Sequence, residues 1–191
     1  MSRIRTFLAV DLSKAVRERA VALQQRLARV GTEVKWVEPE NLHVTLLFLG
    51  EVEDRETPRV CRIASDCAAS HAGFSMSIES VGCFPNPRRP RIIWIGVGEG
   101  AQPLCAIHDA LETPLAALGY RREERRYTPH ATLGRVRGDH PTEELARALA
   151  HEAAWKGGET AVREILIMGS ELTPRGPMYT VLGRAALRGG G

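Results

Sequence analysis

The sequence predicts an α+β fold: a bilobal chain of two pseudo-symmetric lobes, with antiparallel sheets lining a central cleft and helices outside. Three observations carry this. His-x-Thr-Leu occurs twice, at His43-Val44-Thr45-Leu46 and His130-Ala131-Thr132-Leu133, 87 positions apart. Each copy sits in the same series of apolar patterns: strand, helix, motif strand, helix, strand. Each motif also needs an open polar face, which a parallel sheet covered by helices on both sides would not leave. Side chains alternate along a strand. His43 and Thr45 therefore point one way, as do His130 and Thr132, while Val44, Leu46, Ala131 and Leu133 turn to the core.

In chain order, Phe7-Leu8-Ala9-Val10-Asp11-Leu12 reads as a buried strand. Ser13 caps a helix on which Val16, Ala20, Leu23, Leu27 and Val30 recur at helical spacing, and Gly31 ends it. Val34 to Val37 is a short strand, broken by Pro39 before the first motif strand, Asn41 to Gly50. Polar Glu51 to Arg55 leads to a helix over Thr57 to Ala69, with Pro58 in its first turn. Phe74 to Val81 alternates as a strand does. Phe84-Pro85-Asn86-Pro87-Arg88-Arg89-Pro90 is a rigid basic loop. In the second half Ile92 to Val97 is a buried strand, and Pro103 to Leu118 is a helix, interrupted or bent near Pro114 and stopped by Gly119. Arg121 to Arg126 is a charged approach to the second motif. Thr142 to Glu152 is a helix behind Pro141. Glu164 to Met168 and Met178 to Leu187 are closing strands. One bilobal domain is expected over 1–188, with a flexible tail at 189–191.

The 191 residues suit a single domain, and a hydrophobic content of 43% excludes disordered and collagen-like classes. A net charge of +3 permits an anionic substrate without demanding one. No apolar run is long enough to span a bilayer, and the N-terminus enters a strand with no signal region. A cytoplasmic monomer with no membrane partner is expected. Cys61, Cys67, Cys83 and Cys105 show neither Cys-x-x-Cys nor disulfide spacing and read as buried structural thiols.

Phosphodiester cleavage needs a base for the attacking oxygen's proton and an acid for the leaving oxygen. Imidazole does either near neutral pH. Attack and departure occur on opposite sides of phosphorus, so one histidine from each of two facing strands suits the reaction. Thr45 and Thr132 are placed to donate to the non-bridging oxygens as charge builds. His71, His108, His140 and His151 lack the motif and read as surface or helix-end histidines. No Asp or Glu has ligand spacing to either motif histidine, so no metal and no cofactor is expected.

The paired motifs are flanked by Arg5-Thr6-Phe7-Leu8-Ala9-Val10-Asp11-Leu12, Lys35-Trp36-Val37, Phe84-Pro85-Asn86-Pro87 and Ser170-Glu171-Leu172 with Tyr179. With them the chain resembles the 2H phosphoesterase superfamily. Within it, the chain is most similar to the RNA 2′,3′-cyclic phosphodiesterase family, formerly called the 2′-5′ RNA ligase family. The resemblance implies a bilobal fold with antiparallel sheets around a cleft. It implies metal-independent hydrolysis of a terminal RNA 2′,3′-cyclic phosphate to a 2′-phosphate, with RNA ends or small cyclic nucleotides as substrates. His43 would protonate the departing 3′-oxygen and His130 would activate water, roles that the near-equivalent motifs do not themselves assign. Arg135 would hold phosphate. It lies five residues after His130, on the opposite face of a regular strand, and a bulge at Gly134 would turn it inward. Phe7 and Trp36 offer rings for a base, or belong to the core. Lys35, Arg88, Arg89 and Arg91 offer charges for an RNA backbone.

Two other readings remain. One is a 2′-5′ RNA ligase running the same chemistry in reverse; no adenylating lysine motif supports an ATP-driven version. The other is a nucleotide- or RNA-binding module without catalysis, against which the intact His and Thr of both motifs count.

Overall fold

Alternating apolar residues gather the strands into one antiparallel sheet. The computed structural model describes residues 2–122, 125–137, 143–174 and 176–189. In chain order the elements are β1 (Arg3–Asp11), α1 (Lys14–Ala28), β2 (Val34–Trp36), β3 (His43–Glu53), α2 (Thr57–Ser70), β4 (Phe74–Phe84) and β5 (Ile92–Val97). There follow α3 (Ala101–Ala117), β6 (His130–Val136), α4 (Glu143–His151), β7 (Lys156–Val162), β8 (Glu164–Thr173) and β9 (Gly176–Ala186). Of the expected features, Glu123 and Glu124 of the charged approach, His140, Pro141 and Thr142 before α4, and Gly190 and Gly191 of the tail lie outside the described residues.

The strand order is β7-β4-β5-β6-β3-β1-β8-β9, with β2 added to β6. The two motif strands, β3 and β6, are neighbours at the centre, paired only at Val44 and Ala131. These residues hold the same place in their motifs, so a local two-fold axis passes between them. The two expected sheets are one sheet, joined at a single point.

The lobes in space are not the two halves of the chain. Strand β4, from the first half, pairs with β5, and β8, from the second, pairs with β1. Helix α1 packs on β7, and α3 packs on β3 and α2. Ser13 fixes the first of these crossings. Its Oγ accepts from Val16 N at 3.3 Å as a helix cap and donates to Glu159 O at 3.0 Å on β7. Its own N–H donates to Thr160 Oγ1 at 3.0 Å. One buried apolar cluster runs under both lobes, including Leu8, Val10, Leu23, Leu46, Ile78, Ile95, Leu104 and Leu133. Each such side chain contributes about 1.5–3 kcal/mol relative to exposure.

Several expectations are corrected. Strand β7 is absent from the sequence-based expectation, because its Lys156-Gly157-Gly158-Glu159 opening has no apolar alternation. Strand β3 runs on through polar Glu51 to Glu53, supported by β1, where Arg3 Nη2 donates to Glu53 Oε1 at 3.3 Å. Helix α3 is not interrupted at Pro114, which sits in its last turn and removes one ladder bond. All four cysteines are free, but only Cys67 is buried, the others being half-buried. Burial pushes each thiol's pKa up, away from thiolate reactivity. Among the described residues no helix is long and apolar enough to cross a membrane.

Candidate active site

Both motif strands break step just after the threonine. Against β1, Ala9 faces Thr45 but Leu8 faces Leu47, leaving Leu46 as an extra residue. Against β5, Trp94 faces Thr132 but Ile93 faces Gly134, leaving Leu133 extra. Each β-bulge reverses the inward–outward parity of the residues beyond it. Phe48 and Arg135, each five residues past its histidine, therefore return to the histidine's face. Gly134 makes room for the second bulge: a Cβ there would sit 2.7 Å from Val34 Cγ1 and 2.8 Å from Trp36 Cε3.

The two imidazoles are oriented alike. His43 Nδ1 lies 2.7 Å from Asn41 O, and His130 Nδ1 lies 2.6 Å from Thr128 O. A carbonyl only accepts, so each Nδ1 carries the proton and each Nε2 is left for chemistry. Antiparallel pairing at Val44 and Ala131 sets His43 across from Thr132 and Thr45 across from His130, all four on the cleft face. Around His43, Phe7 stacks at 4.9 Å between centroids and Tyr179 stands edge-on at 5.5 Å. Its Nε2 lies 3.0 Å from Thr45 Oγ1. Burial lowers the His43 pKa; the Asn41 carbonyl and Asp11 act against this, and Arg17 adds to it. His130 is flanked by Phe84, edge-on at 5.2 Å, and by Trp94 at 6.3 Å. The absence of a side chain at Gly82 lets the Trp94 indole lie flat there.

The other expected site residues divide. Arg135 is exposed on the cleft face. Lys35 is its cross-strand partner and shares that face. Trp36 instead packs against the core over Gly134. Phe7 is 3% exposed, so it supports His43 from below and has no free face for a base. Phe48, absent from the residues expected at the site, is 55% exposed beside Phe7 at 5.7 Å. Strand parity alone would put it on the opposite face, and no glycine marks the bulge at Leu46 that brings it back. Arg88 and Arg89 are exposed on their loop, where both backbone N–H groups donate to Asn86 Oδ1 at 3.0 and 3.1 Å.

Tyr127 is a second tether between the motifs. It precedes His130, and its hydroxyl donates to Thr45 O at 2.8 Å. Its ring stacks flat on His108 at 4.3 Å and 1°. His108 is thus not a surface residue: it is 4% exposed, with Nδ1 2.9 Å from Asp109 Oδ1. Its spacing from Leu104 and Leu111 on the buried face of α3 carried that signal. His71 ends α2 with Nδ1 2.8 Å from Cys67 O, and His151 is exposed at the end of α4. Among the described residues no group of three or more His, Cys, Asp or Glu side chains could hold a metal ion.

A family model described as LigT-like phosphoesterase matches the chain twice, over residues 10–94 and 95–179. The chain belongs to this family. The double match follows the internal repeat on which the two motifs lie. Among curated relatives, an RNA 2′,3′-cyclic phosphodiesterase from Methanothermobacter thermautotrophicus is 38% identical over 93% of this chain and 96% of its own length. One of the same name from Archaeoglobus fulgidus is 39% identical over 92% of this chain and 96% of its own. A solved structure from Thermus thermophilus superposes with a TM-score of 0.79 at 31% identity, covering 97% of this chain and 99% of that one.

Proposed function

We propose that this LigT-like phosphoesterase hydrolyses the terminal 2′,3′-cyclic phosphate of RNA to a 2′-phosphate, with two imidazoles and no metal ion carrying the proton transfers. The observation that carries the reading is the matched pair of histidines. Each donates Nδ1–H to a backbone carbonyl and keeps Nε2 on the cleft face, one on each side of the Val44–Ala131 pair. The names of the two relatives support the choice of substrate.

In this reading His130 Nε2 takes a proton from water as the water oxygen bonds to phosphorus. The P–O3′ bond breaks on the opposite side, and His43 gives its proton to O3′. The P–O2′ bond is kept, so the product is a 2′-phosphate. Solvent exchange then returns the proton from His130 and recharges His43. The hydroxyls of Thr45 and Thr132 and the Arg135 guanidinium hold the non-bridging oxygens. An anion held beside His43 favours the imidazolium, which opposes the effect of burial and readies the acid only when substrate is bound. The exposed ring of Phe48 offers the terminal base a stacking face.

The test is a short RNA ending in 2′,3′-cyclic phosphate, incubated with the protein in excess chelator, with the phosphate position assigned in the product. A 2′-phosphate is expected. A 3′-phosphate, or activity that chelator removes and a divalent ion restores, overturns the reading.

A further inference from the structure

Several cations on and beside these strands are paired with carboxylates. Arg3 pairs with Glu53 at 3.3 Å, Arg17 with Asp11, and Arg137 with Glu33 at 3.4 Å. Among the described residues Arg5, Lys35 and Arg135 form no such pair. All three lie on the cleft face, on the side where β9 carries Tyr179. Arg5, Ser170 and Tyr179 are successive cross-strand partners on β1, β8 and β9, so their side chains share a face. Glu51 is also across from Arg5, but its carboxylate lies toward Arg3, at 4.0 Å. Lys35 and Arg135 are partners on β2 and β6. Lys35 Nζ reaches the start of β9, 3.8 Å from where a Cβ on Gly176 would stand. Asn41 Nδ2 donates to Pro177 O at 3.1 Å and holds the β8–β9 hairpin against this side of the cleft. Burial raises the Tyr179 phenol's pKa, while the charges of Arg135 and Arg5 both act to lower it.

We propose that Arg5, Lys35 and the Tyr179 hydroxyl form a second anion subsite, which takes the phosphate on the 5′-oxygen of the terminal ribose. This rests on the proposed function. There the departing O3′ lies on the His43 side, which places the ribose over that lobe. The 5′-oxygen then extends past His43 toward Tyr179, which touches the His43 ring edge-on. Arg135 stands between the two phosphates. The subsite makes the protein a reader of chain ends: a phosphate must adjoin the last nucleoside on its 5′ side, as it does in RNA and does not in a free cyclic nucleoside.

Three substrates test this: a nucleoside 2′,3′-cyclic phosphate, the same compound with a 5′-phosphate, and a dinucleotide ending in 2′,3′-cyclic phosphate. The wild-type protein is expected to favour the second and third by kcat/KM. Arg5→Gln and Lys35→Gln should each lose about tenfold on those two, the scale of one charge-assisted hydrogen bond, and little on the first. The slope of log kcat/KM against log salt on the dinucleotide should fall by about 0.7 for each cation removed. Arg29→Gln, an exposed arginine at the end of α1, should change neither ratio nor slope. Equal losses on all three substrates, or no wild-type preference for a 5′-phosphate, overturns the subsite. Calorimetric titration of a nucleoside 2′-phosphate with and without a 5′-phosphate reads the same subsite without turnover. If no cyclic phosphate is cleaved, the proposed function fails, and this titration still decides the subsite. If one variant does not fold, the other gives the same comparison.

Discussion

His43 and His130 sit in the same motif, on strands related by a local two-fold axis, and each donates Nδ1–H to the carbonyl two residues before it. Their surroundings then differ. His43 is stacked on Phe7, touches Thr45 Oγ1 at 3.0 Å, and has Asp11 as its cross-strand neighbour. His130 meets aromatic rings only at an angle, and its cross-strand neighbour is Gly96. Five residues on, one strand presents an exposed phenyl ring and the other a guanidinium. The repeated backbone fixes where the imidazoles are. Unrepeated neighbours make the two rings unlike, and in the proposed mechanism that difference separates the acid from the base.

The largest test of this asymmetry removes each ring. His43→Ala and His130→Ala should each slow single turnover by about a hundredfold or more, the usual scale for a lost general acid or base. A substrate with a better leaving group at the 3′ position needs the acid less, so His43→Ala should recover more than His130→Ala. The opposite recovery would exchange the two roles. Next come the hydroxyls. Thr45→Val and Thr132→Val keep the β-branched shape and should each cost roughly ten- to hundredfold in kcat, as for a hydrogen bond to a charged group. Thr45→Val should cost more, because it also frees His43 Nε2; equal losses would remove that contact from the mechanism.

Gly134→Ala tests the second bulge alone. Crowding Val34 and Trp36 should destabilise the fold by about 1–3 kcal/mol in denaturant titration and weaken phosphate binding through Arg135. An unchanged midpoint and KM would show that the bulge tolerates a side chain. Tyr127→Phe should cost about 1 kcal/mol of stability and lower kcat, since it leaves Thr45 O without its donor. A change in KM alone would argue against a role in spacing the histidines. The smallest effect is a shift of pH limb. As the acid, His43 works protonated, and its pKa is lowered in the free protein. The alkaline limb of kcat/KM should then lie below the ordinary histidine range. Bound phosphate raises the pKa, so the limb of kcat should lie at higher pH. Coincident limbs, or a shift to lower pH, would contradict the assignment of His43 as the acid.

Much of this was legible because it is local. The apolar alternation around each motif gave β3 and β6, and helical spacing gave α1 and α2. Gly134 signalled a bulge because a residue without Cβ is needed where Trp36 lies close. Phe48 was missed because its strand has no such glycine: Leu46 gives no compositional sign that it is the extra residue. Trp36 and Phe7 were open between cleft and core because an aromatic suits both, and only the pairing register decides. The exchange of strands between lobes was not legible at all. Which strand lies beside β1 depends on distant residues in β8, and nothing in either segment names its partner.

That exchange has a consequence for the chain's history. A polypeptide carrying one repeat would end in a strand that has no place in its own lobe and fits beside the first strand of another copy. It could complete its sheet only by trading strands with a twin, through an isologous contact centred on the residue between His and Thr. The ancestral enzyme would then be a swapped homodimer with two identical imidazoles at its dyad. Such a pair is chemically ambidextrous, since either ring can begin as the acid. With both copies in one chain, Asp11 and Gly96, or Phe48 and Arg135, no longer have to match, and the two rings need not share one role.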